Sequence, residues 1–160
     1  MASTRIIFVR HCESEGNPTN RFYDSPGVKL TSAGATQAVI TGTNLCRYIT
    51  DNEVSVVYCS PWQRAKETCK IALAESRIDY QAIQYDERLK IETLPELEYR
   101  VRGFLNDIAR WHPNETIIVF SHGGVGRMMQ GICEGWPEEG RFWEIPFIEN
   151  GGIKEWFYGN

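Results

Sequence analysis

The sequence predicts an α/β protein, a three-layer α/β/α sandwich with a mostly parallel central sheet. Short runs rich in Val, Ile, Phe and Tyr alternate along the chain with segments of helical periodicity. The runs carry few charges, which is typical of strands covered on both faces, and the helices between them imply right-handed crossovers. With 160 residues and 42% hydrophobic content, we expect a single domain over residues 1–160.

Five candidate strands follow from the apolar runs. They are bounded by polar or glycine-containing segments and are short enough for sheet strands. The strands are predicted at residues 5–9, 54–59, 81–85, 116–120 and 153–158.

Four candidate helices lie between or after these strands, at residues 32–48, 61–76, 94–111 and 125–134. Thr31 is a plausible N-cap of the first helix. Residues 60–63 read SPWQ, which predicts a capping box in which Ser60 and Gln63 bond each other's backbone, with Pro61 at the first helical position. The third helix is expected to end before Pro113.

Composition and charge exclude several classes of function. The net charge is −4, so we expect neither nucleic acid nor an anionic membrane as a partner. No apolar run approaches the roughly 18 residues that span a bilayer, and no signal-peptide pattern opens the chain. The five cysteines lack CxxC spacing, which favours reduced thiols and a cytoplasmic location.

Five side chains that can carry chemistry follow the candidate strands. They are Arg10, His11, Arg64, Glu87 and His122. Because ligands of open α/β sheets bind beyond the carboxyl ends of the strands, parallel strands would bring all five residues to one edge.

This set is suited to a phosphoryl group. Arg10 and Arg64 would clamp its oxygens with permanently charged forks. Gly123 and Gly124, which lead into a helix, would let backbone N–H groups approach the anion closely.

Within such a site, His11 is predicted to attack phosphorus, since imidazole is largely neutral at physiological pH. Glu87 would protonate the leaving oxygen as a general acid, with Asp86 as the local competitor. A metal site is not expected, because His11 and His122 lack a third ligand with a clear motif. His112 is expected to lie in a helix-ending loop without a catalytic role, and no cofactor is implied.

Four motifs, in order, resemble the histidine phosphatase superfamily, also called the phosphoglycerate mutase-like family. Residues 10–17 read RHCESEGN, where the family has R-H-G-E-[ST]-x-x-N. Residues 30–38 read LTSAGATQA, residues 60–68 read SPWQRAKET and residues 121–124 read SHGG, each matching a family element. The chain departs from the first motif at Cys12, where the family has glycine.

The resemblance implies a phosphoglycerate mutase-like fold, a single catalytic domain of this type and a role for each matching residue. His11 would be the phosphorylated nucleophile. Arg10, Arg64 and His122 would bind the transferring phosphoryl group, and Asn17 would lie near it.

Glu87 matches the family's proton donor, although its surroundings diverge. We interpret Cys12 as a small residue in a tight loop, and the alternative is a reactive, oxidation-sensitive thiol.

The resemblance divides into phosphatases and mutases, and the chain favours a phosphatase. Mutases carry an insertion after the proton donor and an extended C-terminus, whereas here residues 88–93 alone separate Glu87 from the next helix. We expect an open site that admits water and hydrolyses a phosphomonoester without a metal. Phosphoglycerate mutase activity is the first alternative, and a phosphate-binding module without catalysis is the second.

The expected substrate is a small phosphorylated metabolite or a phosphoprotein. Specificity is expected from residues 16–30, 88–93 and 136–147. The four aromatic residues of the last segment, Trp136, Phe142, Trp143 and Phe147, are expected to pack at the core and its edge, with an exposed apolar wall as the alternative. The sequence does not predict the oligomeric state.

Overall fold

The computed structural model describes residues 2–16, 25–50, 53–91, 94–137 and 141–159. Strands and helices alternate along these residues, with two short 3₁₀ turns at Glu87–Leu89 and Arg141–Trp143. The strands are β1 (Ser3–Arg10), β2 (Val54–Cys59), β3 (Tyr80–Tyr85), β4 (Thr116–Ser121) and β5 (Ile153–Gly159). The helices are α1 (Ser32–Leu45), α2 (Gln63–Ser76), α3 (Leu94–Trp111) and α4 (Gly123–Glu134).

The strands form one sheet in the order β3-β2-β4-β1-β5. The first four strands of the chain are parallel, and β5 pairs antiparallel with β1 at the edge. The predicted fold class is therefore confirmed. Because β1 to β4 run in one direction, their carboxyl ends emerge at the same edge of the sheet.

Both faces of the sheet are covered, which explains why β1 reads as a continuous apolar run. Ile6 and Phe8 point to a core formed with α3 and α4, where Phe104 is fully buried. Ile7 and Val9 point to the other core, formed with α1 and α2. Each such side chain contributes about 1.5–3 kcal/mol by leaving water, so a polar residue at any of these positions would be costly.

The backbone ladder continues past the strand ends at the carboxyl edge. The amide of His11 donates to the Ser121 carbonyl at 2.9 Å, and the amide of Ser60 donates to the Phe120 carbonyl at 2.9 Å. The amide of Asp86 donates in the same way to Cys59, at 3.1 Å. These bonds fix the first residue after β1, β2 and β3 relative to its neighbouring strand.

The helix boundaries differ from the predictions at three places. Helix α1 ends at Leu45, three residues earlier than expected, and α4 begins at Gly123, two residues earlier than expected. Helix α2 begins at Gln63 with Trp62 as an N-cap that makes no side-chain bond. No helix of the described residues is long and apolar enough to cross a bilayer.

The predicted capping box of α2 is wrong. The Gln63 side chain donates to Glu67 at 3.0 Å instead of reaching back. The Ser60 hydroxyl bonds the His122 ring, on another strand end, at 2.8 Å. A buried imidazole nitrogen needs a partner, and this tertiary demand overrides the local cap.

Candidate active site

Two buried histidines meet at the carboxyl edge of the sheet. His11 follows β1 and His122 follows β4, and these strands pair in parallel with Arg10 opposite Ser121. The two ring centroids are 5.2 Å apart, and the residues are 4% and 0% exposed. The structure thus brings together two side chains that lie more than one hundred residues apart in the chain.

The surroundings of His11 select one tautomer. Its Nδ1 atom lies 2.7 Å from the backbone carbonyl oxygen of Cys12. Since a carbonyl only accepts, Nδ1 carries the hydrogen and Nε2 carries the lone pair. Arg64 donates from Nε to this Nε2 atom at 3.3 Å. The nitrogen of His11 that carries the lone pair therefore lies directly beside a guanidinium.

Burial keeps His11 neutral. Loss of hydration is the main cause that lowers the pKa of His11 to about 3; the Cys12 carbonyl opposes it, and the charges of Arg64 and Arg10 add to it. Protonation would place a third positive charge among these arginines. The lone pair is therefore available throughout the physiological pH range.

One ring nitrogen of His122 is bonded, and the other has no partner among the described residues. Its Nε2 atom lies 2.8 Å from the Ser60 hydroxyl oxygen, which also accepts the Trp62 amide at 3.3 Å. A Ser60 hydroxyl that donates to Nε2 would leave the hydrogen of the neutral ring on Nδ1. That Nδ1 atom is buried and has no partner among the described residues. Burial also lowers the pKa of His122, so the ring is neutral.

Arg64 lies in the first turn of α2, as predicted, and is 3% exposed. Its guanidinium carbon lies 4.8 Å from the centroid of the Trp62 ring, and Nη1 donates to the Ser25 carbonyl at 3.2 Å. Burial lowers the pKa of Arg64 to about 10, and the charge of Arg10 contributes. Arg64 remains charged at neutral pH, and its lowered pKa reflects mainly the loss of hydration on burial.

Arg10 is held at the end of β1, where Nη1 donates to the Ile148 carbonyl at 2.7 Å. Its Nε atom is buried and has no partner among the described residues. A Cβ atom at Gly123 would lie 3.1 Å from this Nε, so the glycine leaves room for the guanidinium. Gly123 thus contributes space beside Arg10 as well as a backbone N–H in the first turn of α4.

Glu13 connects the loop after His11 to helix α1. The Thr31 hydroxyl donates to the Glu13 carboxylate at 2.7 Å, and the Gln37 side-chain oxygen accepts the Glu13 amide at 2.9 Å. A Cβ atom at Gly34 would lie 1.9 Å from the Glu13 carbonyl oxygen. The motif at residues 30–38 therefore packs α1 closely against the loop that contains Glu13. The N-cap role of Thr31 is confirmed, since its hydroxyl accepts the Gly34 amide at 2.9 Å.

Cys12 is fully buried in the same loop. Its amide donates to the Thr68 hydroxyl at 3.0 Å, and its sulfur lies 3.7 Å from the Thr41 hydroxyl. Burial raises the pKa of the thiol, which disfavours the reactive thiolate. These contacts support the interpretation of Cys12 as a small packing residue.

Glu87 reaches the same edge of the sheet, at the start of the 3₁₀ turn after β3. The turn is tied to β4 by a 2.6 Å bond from the Ser121 hydroxyl to the Leu89 carbonyl. The Glu87 side chain is 72% exposed and pairs with Lys90 at 2.8 Å. Within the described residues, no hydrogen bond joins its carboxylate to His11 or His122.

Asp86, the competitor of Glu87, is already engaged. Its carboxylate accepts the Arg88 amide at 2.9 Å and pairs with the Arg88 guanidinium at 2.7 Å. Arg88 also bonds Asp107 on α3 at 2.7 Å, and the acidic partners raise the pKa of Arg88. Asp86 is therefore a structural residue, which leaves Glu87 as the carboxylate with a solvent-facing side chain at this turn.

Two further expectations concern Asn17 and His112. Asn17 lies outside the described residues. His112 is in the segment after α3, as predicted, and its ring bonds Tyr58 at 2.9 Å and Glu115 at 2.9 Å.

Sequence reasoning missed several residues of the site. Ser60 was interpreted as a cap, and Asn150, which donates to the His11 carbonyl at 3.0 Å, belongs to no motif used. Arg127 on α4 was also missed, although it follows Gly123 by four residues and so lies on the same helix face.

Comparisons with known proteins agree on one family. The family model of the histidine phosphatase superfamily, branch 1, matches residues 6–90 and 84–159. Phosphoserine phosphatase 1 of Hydrogenobacter thermophilus is 26% identical over 154 residues, covering 74% of this chain and 70% of that protein. The uncharacterized phosphatase PhoE of Bacillus subtilis is 26% identical over 159 residues, covering 84% and 80%.

Solved structures agree on the fold. A phosphoglycerate mutase from Bacillus anthracis superposes with a TM-score of 0.79 at 14% identity, covering 98% of this chain and 88% of that one.

Proposed function

The chain belongs to branch 1 of the histidine phosphatase superfamily, and from that premise we propose that it hydrolyses a phosphomonoester through a phosphohistidine on His11. The observation that carries the proposal is the bond from His11 Nδ1 to the Cys12 carbonyl, 2.7 Å long. It leaves the lone pair on Nε2, the ring nitrogen that lies 3.3 Å from Nε of Arg64.

In the first step, Nε2 of His11 forms a bond to phosphorus as the ester P–O bond breaks. Arg10 and Arg64 neutralise the phosphoryl oxygens, and the leftover Nδ1–H of His122 donates to one of them. Glu87 gives its proton to the departing oxygen. Neutral His11 thereby becomes a phosphohistidine, and an alcohol leaves.

In the second step, water attacks the phosphohistidine. The Glu87 carboxylate takes a proton from this water, the N–P bond breaks and inorganic phosphate leaves. His11 recovers its lone pair and Glu87 recovers its proton, so atoms and charges balance over one turnover. We propose that no metal is needed, because the guanidinium groups already supply the positive charge that the transferring phosphoryl group requires.

The short connection after the proton donor supports hydrolysis over mutase activity. The turn that carries Glu87 ends at Leu89, and α3 begins at Leu94. An insertion that encloses the site cannot fit into residues 90–93, whereas a mutase must keep water from its phosphoenzyme. Phosphoglycerate mutase activity remains the alternative, and a coupled assay for transfer between the hydroxyls of one sugar acid would detect it.

The substrate class supported here is a small phosphorylated metabolite, with a phosphoprotein as the alternative. A cytoplasmic location is proposed from the cysteines, all of which are free thiols, with Cys12, Cys59 and Cys69 buried.

The decisive experiment traps the covalent intermediate. We expect rapid quenching after incubation with a ³²P-labelled phosphomonoester in EDTA to yield an acid-labile, base-stable phosphate on His11. His11→Asn should form none and should lose at least about a thousandfold in kcat.

His112→Asn is the matched control, because His112 bonds Tyr58 and Glu115 away from the phosphate clamps. It should retain the phosphoenzyme. Full activity in His11→Asn would refute the proposed function, and tight phosphoester binding without turnover in the unaltered protein would identify a binding module instead.

A further inference from the structure

Arg127 is a buried cation surrounded by aromatic rings. It lies on α4, one helical turn after Gly123, and is 6% exposed. Its guanidinium carbon is 3.4 Å from the centroid of the Phe147 ring, 5.1 Å from that of Phe142 and 5.8 Å from that of Trp143. Its Nε atom is buried, and no partner for it is present among the described residues.

This arrangement is unusual for a structural arginine. A buried guanidinium is normally satisfied by a carboxylate or by carbonyl oxygens, because an unpaired buried donor costs free energy. Within the described part of the chain, Arg127 forms no ion pair and stacks on ring faces instead. Ring faces hold the cation in place but leave the in-plane Nε–H donor without an acceptor.

Arg127 lies beside the phosphate clamp. The Arg10 guanidinium carbon is 5.7 Å from the same Phe147 centroid, so the two cations share one phenyl ring. The charge of Arg127 also lowers the pKa of Arg10, second to burial. Each of the two arginines carries a buried Nε without a partner among the described residues. The phosphoryl group that His11 attacks would bind the Arg10 guanidinium. Arg127, on the same Phe147 ring, would remain available for another anionic group of the substrate.

We propose that Arg127 forms a second anion subsite, which binds a carboxylate of the substrate while Arg10 binds the phosphoryl group. This inference rests on the phosphatase function proposed above and deepens it. It names the substrate class as phosphomonoesters that carry a carboxylate a few bonds from the phosphoester oxygen. Arg127 is then a specificity-determining residue, and the chemistry stays with His11.

A carboxylate fits this subsite better than a second phosphate. It is planar, it carries one charge, and one guanidinium neutralises it through two parallel bonds. A second phosphoryl dianion would bring two negative charges, whereas among the described residues this pocket offers only Arg127 as a cation beyond Arg10. The aromatic walls strengthen the pairing, because charges interact more strongly where water is excluded.

The surface around Arg127 is open to a ligand on one side. Phe147 and Trp143 are 51% and 68% exposed, although both rings contact the buried guanidinium. The carbon skeleton of a substrate can therefore lie on these rings while its two anionic ends reach Arg10 and Arg127.

The test uses two substrates that differ by one carboxylate, O-phosphoserine and O-phosphoethanolamine. We expect the unaltered protein to prefer O-phosphoserine in kcat/KM, and Arg127→Gln to reduce that preference at least tenfold, chiefly through KM for O-phosphoserine. Arg102→Gln is the matched control, since Arg102 pairs with Glu98 on the exposed face of α3. It should leave the preference unchanged.

A purely structural role for Arg127 predicts equal losses on both substrates, and that result would overturn the subsite. If Arg127→Gln does not fold, the unaltered protein decides, because equal kcat/KM values for the two substrates overturn the proposal. A carboxylate-free aryl phosphate distinguishes failure of the Arg127 subsite from failure of the phosphatase function. If it phosphorylates His11 while no preference exists, the subsite alone fails, and if no phosphoester phosphorylates His11, the phosphatase function fails with it.

Discussion

The hydroxyl of Ser60 is the hydrogen-bond partner of His122 Nε2 among the described residues. The hydroxyl oxygen accepts the Trp62 amide and lies 2.8 Å from Nε2 of His122, and we propose that the hydroxyl hydrogen is directed to that nitrogen. The ring then presents Nδ1–H as its remaining donor. A single side chain in the segment between β2 and α2 thus sets the hydrogen-bonding character of a residue at the end of β4.

We therefore expect Ser60→Ala to lower kcat by about 10–100-fold, less than the 10²–10³-fold typical when a donor to a developing charge is removed outright. Ser60→Thr keeps the hydroxyl and should restore most of the rate. Steady-state kinetics with one phosphomonoester would measure both.

The control for this substitution is Ser76→Ala. Ser76 is also buried on α2, but its hydroxyl bonds Leu73 at the far end of the helix. An equal loss of kcat in both alanine variants would contradict a specific role for Ser60.

At the level of single residues, the sequence predicted which histidines and arginines meet at the carboxyl edge of the sheet, but not the groups that orient them. Arg10, His11, Arg64 and His122 belong to motifs that end strands or begin helices. Ser60 and Asn150 act through bonds to residues 62 and 139 positions away. Such partners are chosen by the tertiary fold, so local patterns do not reveal them.

Helix α1 packs against the loop that follows His11. It approaches so closely that position 34 has no space for a Cβ atom, which would lie 1.9 Å from the Glu13 carbonyl oxygen. The neighbouring contacts of Thr31 and Gln37 hold the same loop. The position of His11 therefore depends on how α1 packs.

Two glycine-to-alanine substitutions should have opposite effects on stability. Gly34→Ala must push α1 away from the loop, and we expect a loss of about 2–3 kcal/mol together with reduced activity. Gly103→Ala, in the interior of α3, has 3.9 Å to its nearest neighbour. It should gain about 0.5–1 kcal/mol from the lower backbone entropy of alanine in the unfolded chain.

Denaturant unfolding of both variants would measure these changes. A Gly34→Ala variant as stable as the unaltered protein would show that α1 and the loop move freely relative to each other.

Elements were predicted better than their ends. The alternation of apolar runs and helical periods is imposed by burial on two faces, which acts along whole strands. Helix ends depend on single hydrogen bonds, and at α2 the competing bond to His122 moved the start from residue 61 to Gln63. The antiparallel direction of β5 was also not readable, because an edge strand carries no signal for its direction.

For the molecule as a whole, the buried histidines make stability depend on pH. Both His11 and His122 have pKa values below the ordinary 6.5 in the folded state. The unfolded chain therefore binds more protons as pH falls below about 6.5. The stabilisation from keeping these rings neutral is complete above that pH and falls as pH is lowered, and the contribution of His11 is lost as pH falls toward 3.

At pH 4.5, two units below the ordinary pKa, His11 alone should cost about 3 kcal/mol of unfolding free energy. We expect denaturant midpoints of the unaltered protein to fall steeply between pH 7 and pH 4.5, above the range where most carboxylates titrate. His11→Asn should fall less steeply. Parallel pH profiles for the two proteins would contradict this linkage.

The amides that extend the ladder past the strand ends, those of His11, Ser60 and Asp86, have a consequence for how this scaffold tolerates change. They anchor the start of each connection to the neighbouring strand, so the geometry of the carboxyl edge is set before any loop begins. Beyond the contacts that Glu13 makes with α1, we therefore expect the connections to accept changes of length while His11 keeps its position. The scaffold is modular in this sense, because the residues at the strand ends are fixed and the connections that follow can vary.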